Sequence, residues 1–276
     1  LMIKNYPGER VLGANSADSL PPFLVQSLSR KQKRKLYRKC FDFLTQLMIS
    51  LEIKTFTSQF PFIPGVSESW FSLLNERAAE KGAQADFNEE LYCDLTLSDE
   101  AYLPLIRDKY RSHIKKARKL WQVEVKTTIT DEELTAFQSL HLTVAGKRTR
   151  SDQSWQLQQK AVNAGAAFMV FAYANAEKGS KKLIGAALFN CTHYMASYAV
   201  GAYDRALFDQ PVSHIIHYQA IQHMKAQGMS WYYIGARCNK NEWMQPSDKE
   251  WQIGHFKAGF STHSFFKLRM VFDVNN

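Results

Sequence analysis

Ala167-Phe-Met-Val-Phe-Ala-Tyr-Ala174, Leu183-Ile-Gly-Ala-Ala-Leu-Phe-Asn190 and Tyr194-Met-Ala-Ser-Tyr-Ala-Val-Gly-Ala202 are three apolar runs of strand length set close together. All fall well short of the roughly 20 residues that a membrane-crossing helix needs. Residues 175–180 and 191–193 separate them as turns between antiparallel neighbours would. Upstream, 122–128 alternates polar and apolar and suits a strand. Asp131-Glu-Glu then opens a helix, with Thr130 or Asp131 as its cap and Leu134, Phe137, Leu140 and Val144 at helical spacing. A second helix fits 154–162 and stops near Gly165. Downstream, Pro211 suits the first position of a helix that runs to Gly228, with Val212, Ile215, Ile216, Ala220 and Met224 along one side. A strand at 231–234, a short helix from the Ser247 cap to Lys257 and a closing strand at 264–274 complete the series. The order is strand, two helices, three strands, helix, strand, helix, strand. It predicts an α/β fold, more closely an α+β mixed sheet with helices on both faces.

The earlier part repeats a piece of that order. A helix is expected over 31–50, with Leu36, Cys40, Phe43, Leu44 and Leu47 on its inner stripe. A strand follows at 52–57, then a helix at 69–80 and a strand at 91–95. This matches the helix-strand-helix-strand order of 212–274, so residues 1–98 read as the back half of a second, related unit, with 52–57 and 91–95 as neighbouring strands. The front half of that unit is missing: either the chain starts inside a longer gene product or its first domain is pared down. One long helix over 99–119 should link the units, with Leu103, Ile106, Tyr110 and Ile114 inward and its basic residues outward. The expected division is thus 1–98, a basic linking helix at 99–120, and a main domain at 121–276.

Composition narrows the function classes. Of 276 residues, 45% are hydrophobic and 22% charged, enough for a packed core. No apolar secretory leader follows Met2, and the four cysteines are scattered, so the cytoplasm is the expected location. The net charge of +9 points to acidic partners: phosphates, nucleic acid or an anionic membrane surface, which makes the inner membrane face part of that expectation. Much of the excess sits in Arg30-Lys31-Gln-Lys33-Arg34-Lys35, continuing to Arg38-Lys39, and in Arg107-Asp-Lys109-Tyr-Arg111, continuing to Lys115, Lys116, Arg118 and Lys119. Each run reads equally as a solvated face or as a phosphate-binding face. No metal site is expected, because His214 and His217 have no third ligand at helical spacing. G-x-S-x-G, P-loop and G-x-G-x-x-G motifs are absent, which removes the common hydrolase, phosphoryl-transfer and hydride-transfer classes.

The element order resembles that of GNAT-type N-acyltransferases. Their reaction centre lies where the fourth and fifth strands splay. Val200-Gly-Ala-Tyr203-Asp204-Arg205 would border that point on one side and Tyr233-Ile-Gly-Ala-Arg237 on the other. Gly201 and Gly235 there would admit a close approach or serve tight turns. Acyl transfer to an amine also needs a group that meets the tetrahedral oxyanion.

Lys249-Glu-Trp-Gln-Ile-Gly-His-Phe256-Lys257-Ala-Gly259-Phe260 carries a more specific likeness. It resembles the Fem family of peptidoglycan-bridge aminoacyltransferases and the FemAB-like GNAT-fold acyltransferases of surface-polysaccharide biosynthesis. In these a helix ends in Phe-Lys followed by Gly-Phe. Arg111 to Lys119 is similar to the family's basic helix, and Phe137, Leu140, Ala145, Lys147, Arg148 and Trp155, then Tyr198, Gly201 and Asp204, follow in the family's order.

The resemblance implies that Lys257 stabilises the tetrahedral intermediate and that Phe256 holds the substrates. The alternative for Lys257 is a helix-end cation answering the macrodipole. Asp204 is the candidate proton acceptor or amine anchor. Arg148, Arg150, Tyr203 and Arg237 are the candidate substrate-binding residues, the first two for an anionic acceptor. The donor would be acyl-CoA or aminoacyl-tRNA, with no permanently bound cofactor. The loop Arg205-Ala-Leu-Phe-Asp-Gln-Pro-Val-Ser lacks the glycines usual in CoA-using members, and Asp209 opposes a pyrophosphate. The expected partners are an anionic small-molecule or lipid-linked acceptor, a tRNA donor and an anionic membrane surface. The expected activity is transfer of an acyl or aminoacyl group to an amine of a sugar-, nucleotide- or lipid-linked envelope precursor. The competing reading is a basic RNA- or membrane-binding module that kept the fold and lost the reaction.

Overall fold

The computed structural model describes residues 2–6, 9–13, 28–53, 55–59, 79–175, 181–238 and 246–273. The chain divides into two compact units: residues 1–89, 238–247 and 265–276 form the first, and 90–237 with 248–264 the second.

The first unit holds β1 (Met2–Tyr6), β2 (Glu9–Gly13), the helix α1 (Arg30–Ser50) and β3 (Thr55–Gln59). β1 and β2 pair antiparallel, with Met2 opposite Gly13, and β2 pairs parallel with β3. β3 in turn pairs antiparallel with the last strand, Arg269 opposite Gln59 and Asp273 opposite Thr55. The partners of β3 are therefore β2 and the last strand, and not the strand at 91–95 expected from the repeat. Ser29 opens α1 through a capping box with Gln32. Its buried stripe is Tyr37, Phe41 and Met48, while Phe43 is 66% exposed. The helix is thus rotated from the stripe expected, and Leu36, Cys40, Leu44 and Leu47 flank the buried line. Most of the expected helix at 69–80 lies outside the described residues.

In the second unit the sheet order is β9, β8, β7, β6, β5, with the 90–94 end of β4 (Gln84–Asp94) beside β9 (Trp231–Arg237). β5 (Gln122–Lys126), β6 (Ala167–Asn175), β7 (Lys181–Cys191) and β8 (Met195–Tyr203) are successively antiparallel, and β8 runs parallel to β9. The three apolar runs are central strands covered on both sides. Phe168, Val170 and Ala172 of β6 face one core while Ala167, Met169 and Phe171 face the other. One core is closed by α4 (Asp131–Ala145) and α5 (Asp152–Asn163) through Leu134, Phe137, Trp155 and Val162. The opposite core is closed by α3 (Asp108–Leu120) and α6 (Val212–Ala226) through Tyr110, Ile114, Ile215, Ile216 and Ala220. α7 (Asp248–Ala258) and β10 (His263–Asp273) are the last regular elements among the described residues.

The long helix expected over 99–119 is two helices, α2 (Asp99–Tyr102) and α3. Pro104 accounts for the break: it lacks an N–H, and its ring disfavours the helical conformation of Leu103 before it. α3 belongs to the second unit and contributes Tyr110, Ile114 and Ala117 to its core, so it is part of the domain where a linker was expected. Thr130 caps α4 through a capping box with Glu133, and Gly146 ends it at φ 70°. No helix among the described residues is long and apolar enough to cross a membrane.

Candidate active site

β8 and β9 pair only at their first residues, Met195 with Trp231, Ala196 with Tyr232 and Ser197 with Tyr233. Beyond that register β8 runs on to Tyr203 and β9 to Arg237 without pairing to each other, so the strands part. Lys257, in the last turn of α7, reaches toward this parting. A Cβ placed on Gly235 of β9 would collide with Lys257 Nζ and lie 3.3 Å from its Cε. Gly235 has φ +118°, a conformation that L side chains rarely adopt. The ammonium sits 5.7 Å from the centroid of the Tyr198 ring of β8.

The end of α7 is held from α3. The Arg107 guanidinium donates to His255 O at 3.0 Å, Arg107 N–H to Gly259 O at 2.9 Å, and the Tyr110 hydroxyl to Phe256 O at 3.0 Å. The first of these meets a carbonyl that the helix end leaves without an intrahelical partner, while Phe256 O also accepts Gly259 N–H at 3.0 Å. A Cβ on Gly259 would strike the Tyr110 ring, which explains the glycine of the Phe-Lys-x-Gly-Phe segment. The Phe256 ring packs against His214 at 5.1 Å, His217 at 5.6 Å, Phe260 at 5.6 Å and Tyr110 at 5.7 Å.

His217 lies beneath, 1% exposed. Its Nδ1 is 2.8 Å from the Tyr232 hydroxyl and its Nε2 3.5 Å from the Tyr203 hydroxyl, which is 3.3 Å from that of Tyr198. Burial, then the Lys257 and His214 charges, push the His217 imidazole down to about 3, so it is neutral. His214, 3.2 Å from His113, is likewise pushed down to about 3, by burial first and then by His113, Arg107 and Lys109. Burial raises the Tyr198 and Tyr203 phenols. Gly201 makes room for both hydroxyls, since a Cβ there would lie 2.8 Å from Tyr203 Oη and strike Tyr198 Oη. Both glycines at the parting thus accommodate side chains of this chain.

The other expected site residues fall elsewhere. The Asp204 carboxylate takes Lys182 Nζ at 2.9 Å and Ala206 N–H at 3.0 Å, and these two, in that order, hold it below the usual range, which weakens it as a base. Arg150 stacks 5.7 Å over Trp155 and donates to Ala199 O at 3.4 Å. Trp155 belongs to the core under α4 and α5, on the opposite face of the sheet from Phe256 and Phe260. Arg148, on the same connection, pairs with Asp152 at an exposed position. Arg237 is exposed at the end of β9. The geometry therefore gathers Lys257, Phe256 and Tyr203, ties Arg150 to the opposite face of the sheet, and pairs Arg148 with Asp152 and Asp204 with Lys182. The sequence patterns assigned His217, Arg107 and Tyr110 no role at this site, placing them in a His-x-x-His pair, a basic run and an inward helix face.

A family model described as an acetyltransferase (GNAT) domain matches residues 106–245, just over half of the chain. The chain belongs to the acetyltransferase (GNAT) domain family. This GNAT domain is an N-acyltransferase, acting between an acyl donor and an amine-bearing acceptor. FemX is similar to it over 97% of this chain and 82% of its own, at 11% identity and a TM-score of 0.61. L-PGS from Bacillus licheniformis is similar over 84% of this chain and 72% of its own (13% identity, TM-score 0.57). The C-terminal domain of a putative lysylphosphatidylglycerol synthetase from Agrobacterium fabrum is similar over 85% and 73% (15%, 0.54). At such identities the likeness is one of fold, and it is the Fem-like form of the GNAT fold that the sequence suggested. No curated protein matches the sequence.

GNAT domains take acyl-CoA as co-substrate. The turn before α6 keeps several of its amides for itself. Leu207 N–H donates to Asp204 O at 3.0 Å, Phe208 N–H to Arg205 O at 3.2 Å, Gln210 N–H to Leu207 O at 2.9 Å and Val212 N–H to Gln210 O at 2.9 Å. Ala206 N–H is on Asp204 and Pro211 has no N–H, so few amides of the turn itself are free, while Ser213 and His214 N–H at the start of α6 have no acceptor among the described residues.

Proposed function

We propose that this GNAT domain transfers an acyl or aminoacyl group to the amine of a sugar-, nucleotide- or lipid-linked precursor of the cell envelope, with Lys257 stabilising the oxyanion. The observation that carries the proposal is the Lys257 ammonium set against Gly235, beside the parting of β8 and β9. An ammonium is a compact point charge, suited to meet charge that develops on a carbonyl oxygen. Phe256 would line the substrates' side of α7, its ring fixed among Tyr110, His214 and Phe260.

The donor is an aminoacyl-tRNA or an acyl-CoA. The turn's lack of glycine and the Asp209 carboxylate in it favour the tRNA ester, which needs no pyrophosphate cradle there. Arg148, Arg150 and Arg237 remain proposals for the anionic acceptor, and Asp204 for the amine. Residues 1–98 are retained in this proposal as part of a second GNAT-like unit, on the order of α1 and β3. The test is mass spectrometry of products after incubating the full chain with acetyl-CoA or aminoacyl-tRNA and extracted envelope precursors. A precursor gaining the mass of the acyl group on an amine supports the proposal. Precursors unchanged with every donor, under conditions where the protein is folded, would remove it.

A further inference from the structure

Tyr232 is wholly buried, and the only hydrogen-bond partner of its hydroxyl among the described residues is His217 Nδ1, at 2.8 Å. A buried phenol with one partner is best satisfied by donating, because a spare O–H proton left without an acceptor is costly, whereas a spare lone pair is tolerated. Tyr232 then occupies the Nδ1 lone pair. A neutral imidazole has one N–H and one acceptor, so the proton of His217 lies on Nε2 and is directed at Tyr203 Oη, 3.5 Å away. Tyr203, accepting that proton, passes its own O–H to Tyr198 Oη at 3.3 Å. Whichever of Tyr203 and Tyr198 donates, one O–H of the pair has no acceptor among the described residues; with Tyr203 accepting from His217 it is that of Tyr198, left open toward a substrate. It belongs to the ring over which the Lys257 ammonium sits.

We propose that His217 is a positioning residue that sets the direction of this hydrogen-bond chain, so that Tyr198 presents a donor beside Lys257 for the acyl-transfer site. The chain runs Tyr232 to His217 to Tyr203 to Tyr198, and every member stays uncharged. Neutrality matters as much as direction: burial keeps His217 from competing with Lys257 as a cation. In the reaction the amine nitrogen forms the new C–N bond and the donor's C–O or C–S bond breaks. Tyr198 takes the proton that the amine gives up as it hands its own to the departing oxygen or sulfur. It ends as it began, and no proton is left on His217. Gly201 is then required by the chain, since any side chain there would displace both hydroxyls.

The inference rests on the proposed function for its role, but its geometry is testable without substrate. The first experiment is nitrogen NMR of the histidine-labelled full chain, with the His217 signal identified by its loss in His217→Gln. The expected result is a neutral ring protonated on Nε2 from pH 5 to pH 8, changing to a mixture of tautomers in Tyr232→Phe. A proton on Nδ1 in the unmodified chain, or a ring that titrates in that range, would overturn the proposed direction. The second is turnover with whichever donor and acceptor pair the product analysis identifies. Tyr198→Phe and Tyr203→Phe should each lower kcat about tenfold with KM little changed, and the double variant should be no slower than the worse single one. Unchanged kcat, or effects that multiply, would refute a shared chain. If Lys257→Met keeps its turnover while His217 shows the Nε2 proton, the oxyanion assignment fails and the direction of the chain stands.

Discussion

Replacing Gly235 by alanine perturbs Lys257 without touching its side chain. The added Cβ would clash with Lys257 Nζ and crowd Cε at 3.3 Å, with Cδ in ordinary contact at 3.6 Å. The ammonium must then move by about an ångström, a misplacement that can cost on the order of 10² in rate at a reacting centre. A second cost is conformational. Alanine at φ +118° stores roughly 1–3 kcal/mol of backbone strain, which lowers stability whatever Lys257 does. Gly228 separates the two effects, having φ +73° but nothing within 4 Å of an added Cβ, so Gly228→Ala reports strain alone. The assay is paired: turnover by mass spectrometry of the amide product, and chemical denaturation of the same preparations. Gly235→Ala should lose about a hundredfold in kcat, and Gly228→Ala should keep its kcat while losing on the order of 1 kcal/mol of stability. If Gly235→Ala turned over as fast as Gly228→Ala, the position of the ammonium against β9 would be irrelevant to the reaction.

Three further outcomes can be measured on other parts of the chain. His214 and His217 are both pushed down to about 3, against about 6.5 in the unfolded chain, so between these values the unfolded state binds the extra protons. Stability should therefore fall as pH drops below about 6.5, by up to about 1.4 kcal/mol per pH unit for each ring, and His214→Leu should flatten the slope measured by denaturation at pH 4–7. Thr130→Ala removes the cap of α4 and its exchange with Glu133, and should cost about 1 kcal/mol in denaturant titrations. If the basic runs serve phosphate contacts, binding of the chain to RNA or to anionic vesicles should weaken steeply with salt, and charge reversal at Lys33, Arg34 and Lys35 should flatten that dependence.

Much of the second unit was legible because its strands are covered on both faces. Strands such as Phe168 to Ala172 are apolar at every position, and caps such as Thr130 with Glu133 are local chemistry. The element order from β5 onward followed from these alone. α1 was misread because Phe43 is apolar yet exposed, and only packing reveals that Tyr37, Phe41 and Met48 form the buried line. The break between α2 and α3 was visible in Pro104 but overridden by the helical period on either side. The pairing of β3 joins residues more than two hundred positions apart, and no local pattern encodes it. At the site, Lys257 and Phe256 were legible through a linear motif. His217 was not, because its role comes from hydroxyls on two separate strands, at Tyr203 and Tyr232.

The central claim is that Lys257 meets the oxyanion, and Lys257→Met tests it directly, keeping most of the stem while removing the charge. Turnover and thermal stability are measured on the one variant. The account predicts a fall in kcat of about 10²–10³, comparable to the loss of one oxyanion-hole donor, with stability and acceptor affinity little changed. Turnover near normal, accompanied by a loss of roughly 0.3–1 kcal/mol of stability, would make Lys257 a helix-end cation and contradict the claim.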